Sequence, residues 1–248
     1  FRVFGTSRAP DQVARSFAWL AMDVRSDASV DAAVRSLLEQ AGRIDVLVNN
    51  AGYAQGGAIE ETSVDEVRAQ LDTNLLGVIL VLQAVLPSMR RQGSGRIVNV
   101  GSVIGRVAPP YLGVYAASKF ALEGLTEALR EEVRPFGVDV SLVEPAYVRT
   151  NFASQVPATP IAAYAAAREA ALRVIGAGVE RGMDPEVVAK AILRAITTRS
   201  RLRHVVGSQA TGLLLLHRLL PERIFDHVRR RVFGAPTTTD LRPTQQPL

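Results

Sequence analysis

One pair of side chains in this chain has the types and spacing for proton chemistry. It is Tyr115 and Lys119, in Val114-Tyr115-Ala116-Ala117-Ser118-Lys119. On a helix, residues four apart project from one face about one turn apart. A fixed ammonium beside a phenol favours phenolate, so the spacing predicts a tyrosine whose pKa is drawn down from about 10. The spacing alone is weak, because a tyrosine packed at a helix start beside a solvated lysine has the same signature. Its weight comes from its company. Ser102 closes an apolar strand, Asn74 lies in a helical region that disfavours asparagine, and Asn49-Asn50-Ala51-Gly52 follows the buried run Ile44–Val48.

Alternating strands and helices must position these residues. Short apolar runs predict strands at Phe1–Thr6, Phe17–Met22, Ile44–Val48, Ile97–Val100, Val138–Val143 and Arg203–Val206. Between them, helical periodicity covers Ser26–Ala41 and Tyr115–Arg134. A capping box at Ser63 and Glu66 starts another helix, which breaks near Asp72–Asn74 and continues through Leu75–Met89. Helices also follow at Ala158–Arg181, at Val187–Ile196 behind Asp184-Pro185, at Leu213–Leu216 and at Ile224–Phe233. The pattern predicts one α/β domain over residues 1–234, a doubly wound parallel sheet in three αβα layers. Residues 235–248 read as a disordered tail. In such sheets ligands bind beyond the carboxyl ends of the strands. Thr6-Ser7-Arg8, Asp23-Val24, Asn49–Gly52, Ser102 and Pro145–Thr150 all fall there.

Composition narrows the chemistry. The 248 residues contain no cysteine, which excludes disulfides and thiolate catalysis, and three late histidines without ligand spacing, so no metal site is expected. The net charge of +5 is concentrated between Arg199 and Gly234, with eight arginines against Glu222 and Asp226. That is no nucleic-acid surface spread over a domain. Leu213–Phe233, within the basic helices 209–234, is apolar on one side and arginine-rich on the other. Packing on its own domain or a partner subunit is the commoner fate of such a segment, and docking on an anionic membrane the rarer one. No apolar run approaches the ~20 residues of a membrane span and no signal peptide is seen, so a cytoplasmic location is expected. Leu75–Met89 is apolar nearly all round, which predicts a homodimer or homotetramer.

Together, Asn49-Asn50-Ala51-Gly52, Asn74, Ser102 and Tyr115-x-x-x-Lys119 resemble the short-chain dehydrogenase/reductase family, over Phe1 to Val206. The narrower likeness is to its hydroxysteroid and retinol dehydrogenase branch. The resemblance implies a Rossmann-like fold and hydride transfer between a nicotinamide cofactor and a carbonyl or alcohol. Tyr115 would be the acid/base, Lys119 would lower its pKa and hold the nicotinamide ribose, Ser102 would bind the carbonyl, and Asn74 would hold a relay water. Asn50, Ala51, Gly52, Asp23 and Val24 would contact the cofactor. So would Pro145, Val148 and Thr150, in a Pro-Gly-x-Val-x-Thr segment with Ala146 in place of Gly. Residues 151–183 would form the substrate lid, and their Ala, Val and Ile content suits an apolar substrate. An acid where Ser7 stands would select NAD. With none there and Arg8 following, NADP is favoured over NAD.

No Gly-x-x-x-Gly-x-Gly occurs in the 248 residues. The resemblance places that loop and a first strand ahead of Phe1. Without them the sheet should split and expose two flat apolar edges, and the chain is expected to be a piece lacking roughly one βα unit. The alternative is a catalytically silent relative that binds or regulates.

Overall fold

The computed structural model describes residues 1–10, 17–150, 152, 154–198 and 201–233. The expected tail at 235–248 lies outside them, as do Asn151 and Ala153 of the expected lid. In chain order the elements are β1 (Phe4–Ser7), β2 (Ala18–Ala21), α1 (Asp27–Ala41), β3 (Val46–Asn49), β4 (Ala54–Gln55) and α2 (Val64–Leu71). A π-helical turn over Asp72–Leu76 leads into α3 (Gly77–Gln92). Then come β5 (Gly95–Val100), α4 (Gly113–Val133), β6 (Val138–Pro145), β7 (Ser154–Gln155), α5 (Ala165–Glu180), α6 (Pro185–Thr197), β8 (Arg203–Val206), α7 (Ser208–Leu219) and α8 (Glu222–Val232).

Local chemistry sets the boundaries. Ser26 caps α1 by accepting from the Ser29 N–H, and Gly42 ends it at φ 74°. The Ser63 hydroxyl accepts from the Glu66 N–H at 3.2 Å, while the Glu66 carboxylate accepts from the Ser63 N–H at 2.8 Å. The expected break near Asp72–Asn74 is the π turn. The helix expected from Ala158 starts seven residues later, at Ala165, because Pro160 cannot donate to a helical ladder. α7 is longer than expected, running from Ser208 to Leu219.

β3, β5, β6 and β8 form a parallel sheet in that order, and β1 pairs in parallel with β2 as a separate sheet. The expected split is therefore observed. Among the described residues β3 pairs only with β5, and its Val48 is 37% exposed. Strands β5 and β6 are buried on both faces, as parallel strands between helices must be. Ile97, Val140 and Leu142 pack against Val30 of α1, Val81, Val85 and Met89 of α3, and Leu122 and Leu129 of α4. Val98 and Val143 pack on the other face against Ala195 and Ile192 of α6. This is a three-layer, Rossmann-like α/β fold. The helix running Val64–Gln92 is long and apolar enough to cross a membrane, which the count of consecutive apolar residues missed. Its Val85 and Met89 are 2% and 0% exposed in the core.

The turn from α4 to β6 depends on Gly137, at φ 70°, where an added Cβ would collide with the Gly93 carbonyl oxygen. Gly42 has a similar φ but open space around it. Gly42→Ala should therefore cost only the left-handed penalty of ~1 kcal/mol, and Gly137→Ala ~3 kcal/mol, since backbone must also move. Equal shifts in urea midpoint would refute this ranking.

Candidate active site

The carboxyl end of β5 and the first two turns of α4 build the site. After Val100 the chain turns at Ser102, whose hydroxyl accepts from the Ile104 N–H at 3.2 Å. Arg106 extends from this loop to within 3.7 Å of the fully buried Glu144 on β6. Ahead of α4, Tyr111 adopts φ 61°, a strained value for a non-glycine, and its carbonyl accepts from the Gly57 N–H at 2.8 Å. Tyr115 then lies 7% exposed, with its phenol close to the Ser102 hydroxyl. The Lys119 ammonium donates to the Val100 carbonyl at 2.8 Å and stands 5.8 Å from the Tyr115 ring centroid.

The electrostatics correct one expectation. Lys119 does not draw the Tyr115 phenol down. Burial pushes it up to about 12, with only the neighbouring Ser102 hydroxyl opposing. Burial also pushes Lys119 down to about 8. The same desolvation that raises an acid lowers a base. Keeping the Lys119 ammonium charged at neutral pH costs the fold roughly 3 kcal/mol. A buried cation with one hydrogen bond for three N–H donors is poor structural design, but it leaves donors to offer a ligand.

Asn74 is 1% exposed on the π turn. Its side-chain amide donates to the Tyr53 carbonyl at 3.0 Å and to the Ser118 hydroxyl at 3.1 Å, and its oxygen accepts from the Tyr53 N–H at 3.2 Å. Both amide donors are thus spent on tying the loop after β3 to α4 beside Lys119. Gly52 lies against this amide, where an added Cβ would stand 3.0 Å from the Asn74 oxygen. Asn50 and Ala51 are exposed on the same loop.

The remaining expected residues are spread wider. Ser7 closes a small turn with Ala9, with Arg8 exposed beside it at the end of β1. Asp23 is gripped by Arg25, which holds its carboxyl down at about 2. Val24 packs on α3, where a Cβ on Gly77 would come within 2.8 Å of it. Pro145 ends β6, Val148 bridges to Met183, and Thr150 is exposed. Ala146 is outside the left-handed region, so its backbone does not require the family's glycine.

Several contacts that support the site escaped the sequence reading. Asn49 donates to Asn99 at 2.9 Å, and Asn99 to Thr126 on α4 at 2.9 Å. The polar Asn99 inside an apolar strand was the available signal. Glu61, with a fully buried side chain, accepts from the N–H groups of Ala58 at 2.8 Å and Ile161 at 3.0 Å and pairs with Arg168 of α5 at 2.5 Å. Glu66 accepts from the Ala158 N–H at 2.9 Å and Glu60 from the Tyr164 hydroxyl at 2.6 Å. Three carboxylates thus fasten the segment leading into α5. Beneath it, Ala54, Leu112 and Tyr115 pack with Ile104 and Ile175, and the Phe152 ring is 6.0 Å from that of Tyr115. The surroundings of the phenol are apolar.

The residues fit the ribose end of a nicotinamide nucleotide: Lys119 keeps donors to spare, and Gly52 leaves no room for a side chain beside Asn74. No Gly-rich loop for the pyrophosphate is present in the sequence.

A family model described as short chain dehydrogenase matches residues 6–161. A 3-ketodihydrosphingosine reductase of Bacteroides thetaiotaomicron is 38% identical over 202 residues, 80% of this chain and 75% of that protein. The crystal structure of a short-chain dehydrogenase from Streptomyces avermitilis superposes with a TM-score of 0.79 at 33% identity, covering 94% of this chain and 86% of that one. A short-chain dehydrogenase/reductase from Burkholderia phymatum, solved in complex with NAD, gives 0.73 at 29% identity, covering 91% and 81%.

Two outcomes are expected. Lys119→Met should not lower the thermal midpoint at pH 7, because it removes a charge the fold holds at a cost. A clear drop would show that the Val100 hydrogen bond outweighs that cost. Glu61→Gln leaves Arg168 buried without its counter-charge, a loss of ~3 kcal/mol. Hydrogen exchange should then accelerate over residues 154–180 and stay slow at Ile97–Asn99.

Proposed function

Because this chain belongs to the short-chain dehydrogenase/reductase family, we propose that it interconverts a carbonyl and an alcohol on an apolar small molecule, with NADP(H) as hydride carrier. The observation that carries this reading is the Tyr115 phenol, close to Ser102 and facing apolar walls, beside a buried Lys119 ammonium with donors to spare. The nicotinamide supplies or accepts the hydride when bound. In reduction, Ser102 orients the substrate carbonyl, and the Tyr115 hydroxyl donates its proton to that oxygen as charge develops there. In oxidation the phenolate takes the alcohol proton back. Lys119 holds ribose hydroxyls. Asn74 acts as a positioning residue, bracing α4 through Ser118.

Arg8, exposed at the end of β1 with no carboxylate at Ser7, supports NADP, since a guanidinium suits a 2′-phosphate. The apolar lining by Phe152, Ile104 and Ile175 supports a substrate poor in charge. The relative named for a long-chain keto lipid points the same way.

Tyr115→Phe should lower turnover by roughly 10²–10⁴-fold with NADPH affinity unchanged. Arg8→Ala should weaken NADPH while leaving NADH as it was. With the phenol at about 12, carbonyl reduction should be flat through neutral pH, because the acid is already protonated, and alcohol oxidation should rise with pH as phenolate forms. Failure to bind either nucleotide would overturn the reading.

A further inference from the structure

α7 and α8 both pack on one apolar cluster, formed by Val103, Val107, Ala210, Leu214, Phe225 and Phe233. In α7, Ala210 and Leu214 face that cluster. At 100° per residue, Gly212, Leu215, Leu216 and Leu219 lie opposite them. A helix face turned to water is ordinarily polar. Here Leu215, Leu216 and Leu219 are 55%, 41% and 68% exposed, and Ile224, just past the turn into α8, is 53% exposed.

The outward face of α8 has the complementary character. Phe225 points inward, which turns Arg223, His227, Arg230 and Arg231 outward, all of them exposed. Among the described residues the one ion pair of α8 is Arg229 with Asp226, so these three arginines have no carboxylate partner there. Arg218 and Thr211 flank the leucine face. Exposed leucines beside unpaired arginines are the composition of a surface that lies in the headgroup region of an anionic bilayer. A second copy of the chain fits less well, since a two-fold contact centred here would set each arginine cluster against its own image.

We infer that the α7–α8 corner docks on the surface of anionic lipid membranes, through Leu215, Leu216, Leu219 and Ile224 with Arg223, Arg230 and Arg231. The cluster beneath the corner includes Val103 and Val107 of the loop after Ser102 and packs Ala146 next to Pro145. Docking would therefore set the carboxyl ends of β5 and β6 near the bilayer. The inference does not depend on the chemistry proposed for Tyr115.

The test is sedimentation of the full chain with vesicles of phosphatidylcholine alone or mixed equally with phosphatidylglycerol. The expected result is binding to the mixed vesicles only, weakened by salt. Arg223→Gln/Arg230→Gln/Arg231→Gln should weaken it roughly a hundredfold, and Leu215→Ser/Leu219→Ser should abolish it. Every substituted side chain is exposed, so unchanged circular dichroism is expected. If the leucine variant misfolds, the arginine variant alone decides. No sedimentation with mixed vesicles, or sedimentation indifferent to the arginine variant, overturns the inference. So does an oligomer in ultracentrifugation that the leucine variant dissociates, which would make the face a contact between copies.

Discussion

The Lys119 ammonium donates to the Val100 carbonyl inside the protein, and much of the surrounding structure exists to hold that contact. An isolated ammonium out of water is costly, and the downward pull on its pKa records that cost. The charge stays only because α4 is fixed against β5 from several directions. The Asn74 amide holds it through Ser118, and the chain from Asn49 through Asn99 to Thr126 holds it from the sheet. Without these ties α4 could shift outward by a fraction of a turn and let water reach the lysine. The π turn over Asp72–Leu76 belongs to the same arrangement, since it sets Asn74 inward within an otherwise regular helix.

The next turns of the same face of α4 have a second buried polar system. Arg203 of β8 pairs with Glu123 at 3.0 Å and with Glu127. Burial, and then contact with Glu144, push the Glu123 carboxyl well above the ordinary range. A raised carboxyl lends stability at low pH and loses it as pH rises through its folded value. The two carboxyls sit in parallel-strand and helix positions that an apolar pair could fill at less cost. Their presence points to specification of register between α4 and β6 rather than to strength.

How far the site was legible follows from which contacts are local. Tyr115 and Lys119 are one helical turn apart, so spacing alone put them together. The capping box at Ser63, the stop at Gly42 and the break near Asp72 were equally local and equally visible. Glu61 and Arg168 are separated by 107 positions, and nothing in either neighbourhood names the other. The environment of the phenol was legible only in part. A neighbouring cation can be read from sequence, whereas the depth of burial depends on Ala54, Phe152 and Ile175 arriving from distant segments. The α7–α8 corner shows the same limit, because the sequence displayed its amphipathic pattern without showing which apolar residues the fold would cover.

The divided sheet separates two tasks in space. Every group that can handle the proton, from Ser102 to Lys119, belongs to the four-stranded piece and the helices on it. Ser7, Arg8 and Asp23, which would choose between cofactors, belong to the two-stranded piece. The pieces communicate through the shared core, where Met22 and Val24 pack with α1 and α3, and through the close fit of Val24 on Gly77. No strand hydrogen bond joins them among the described residues. Placing Arg8 relative to Lys119 therefore falls to that packing, with Val24 wedged on Gly77 and Met22 in the core.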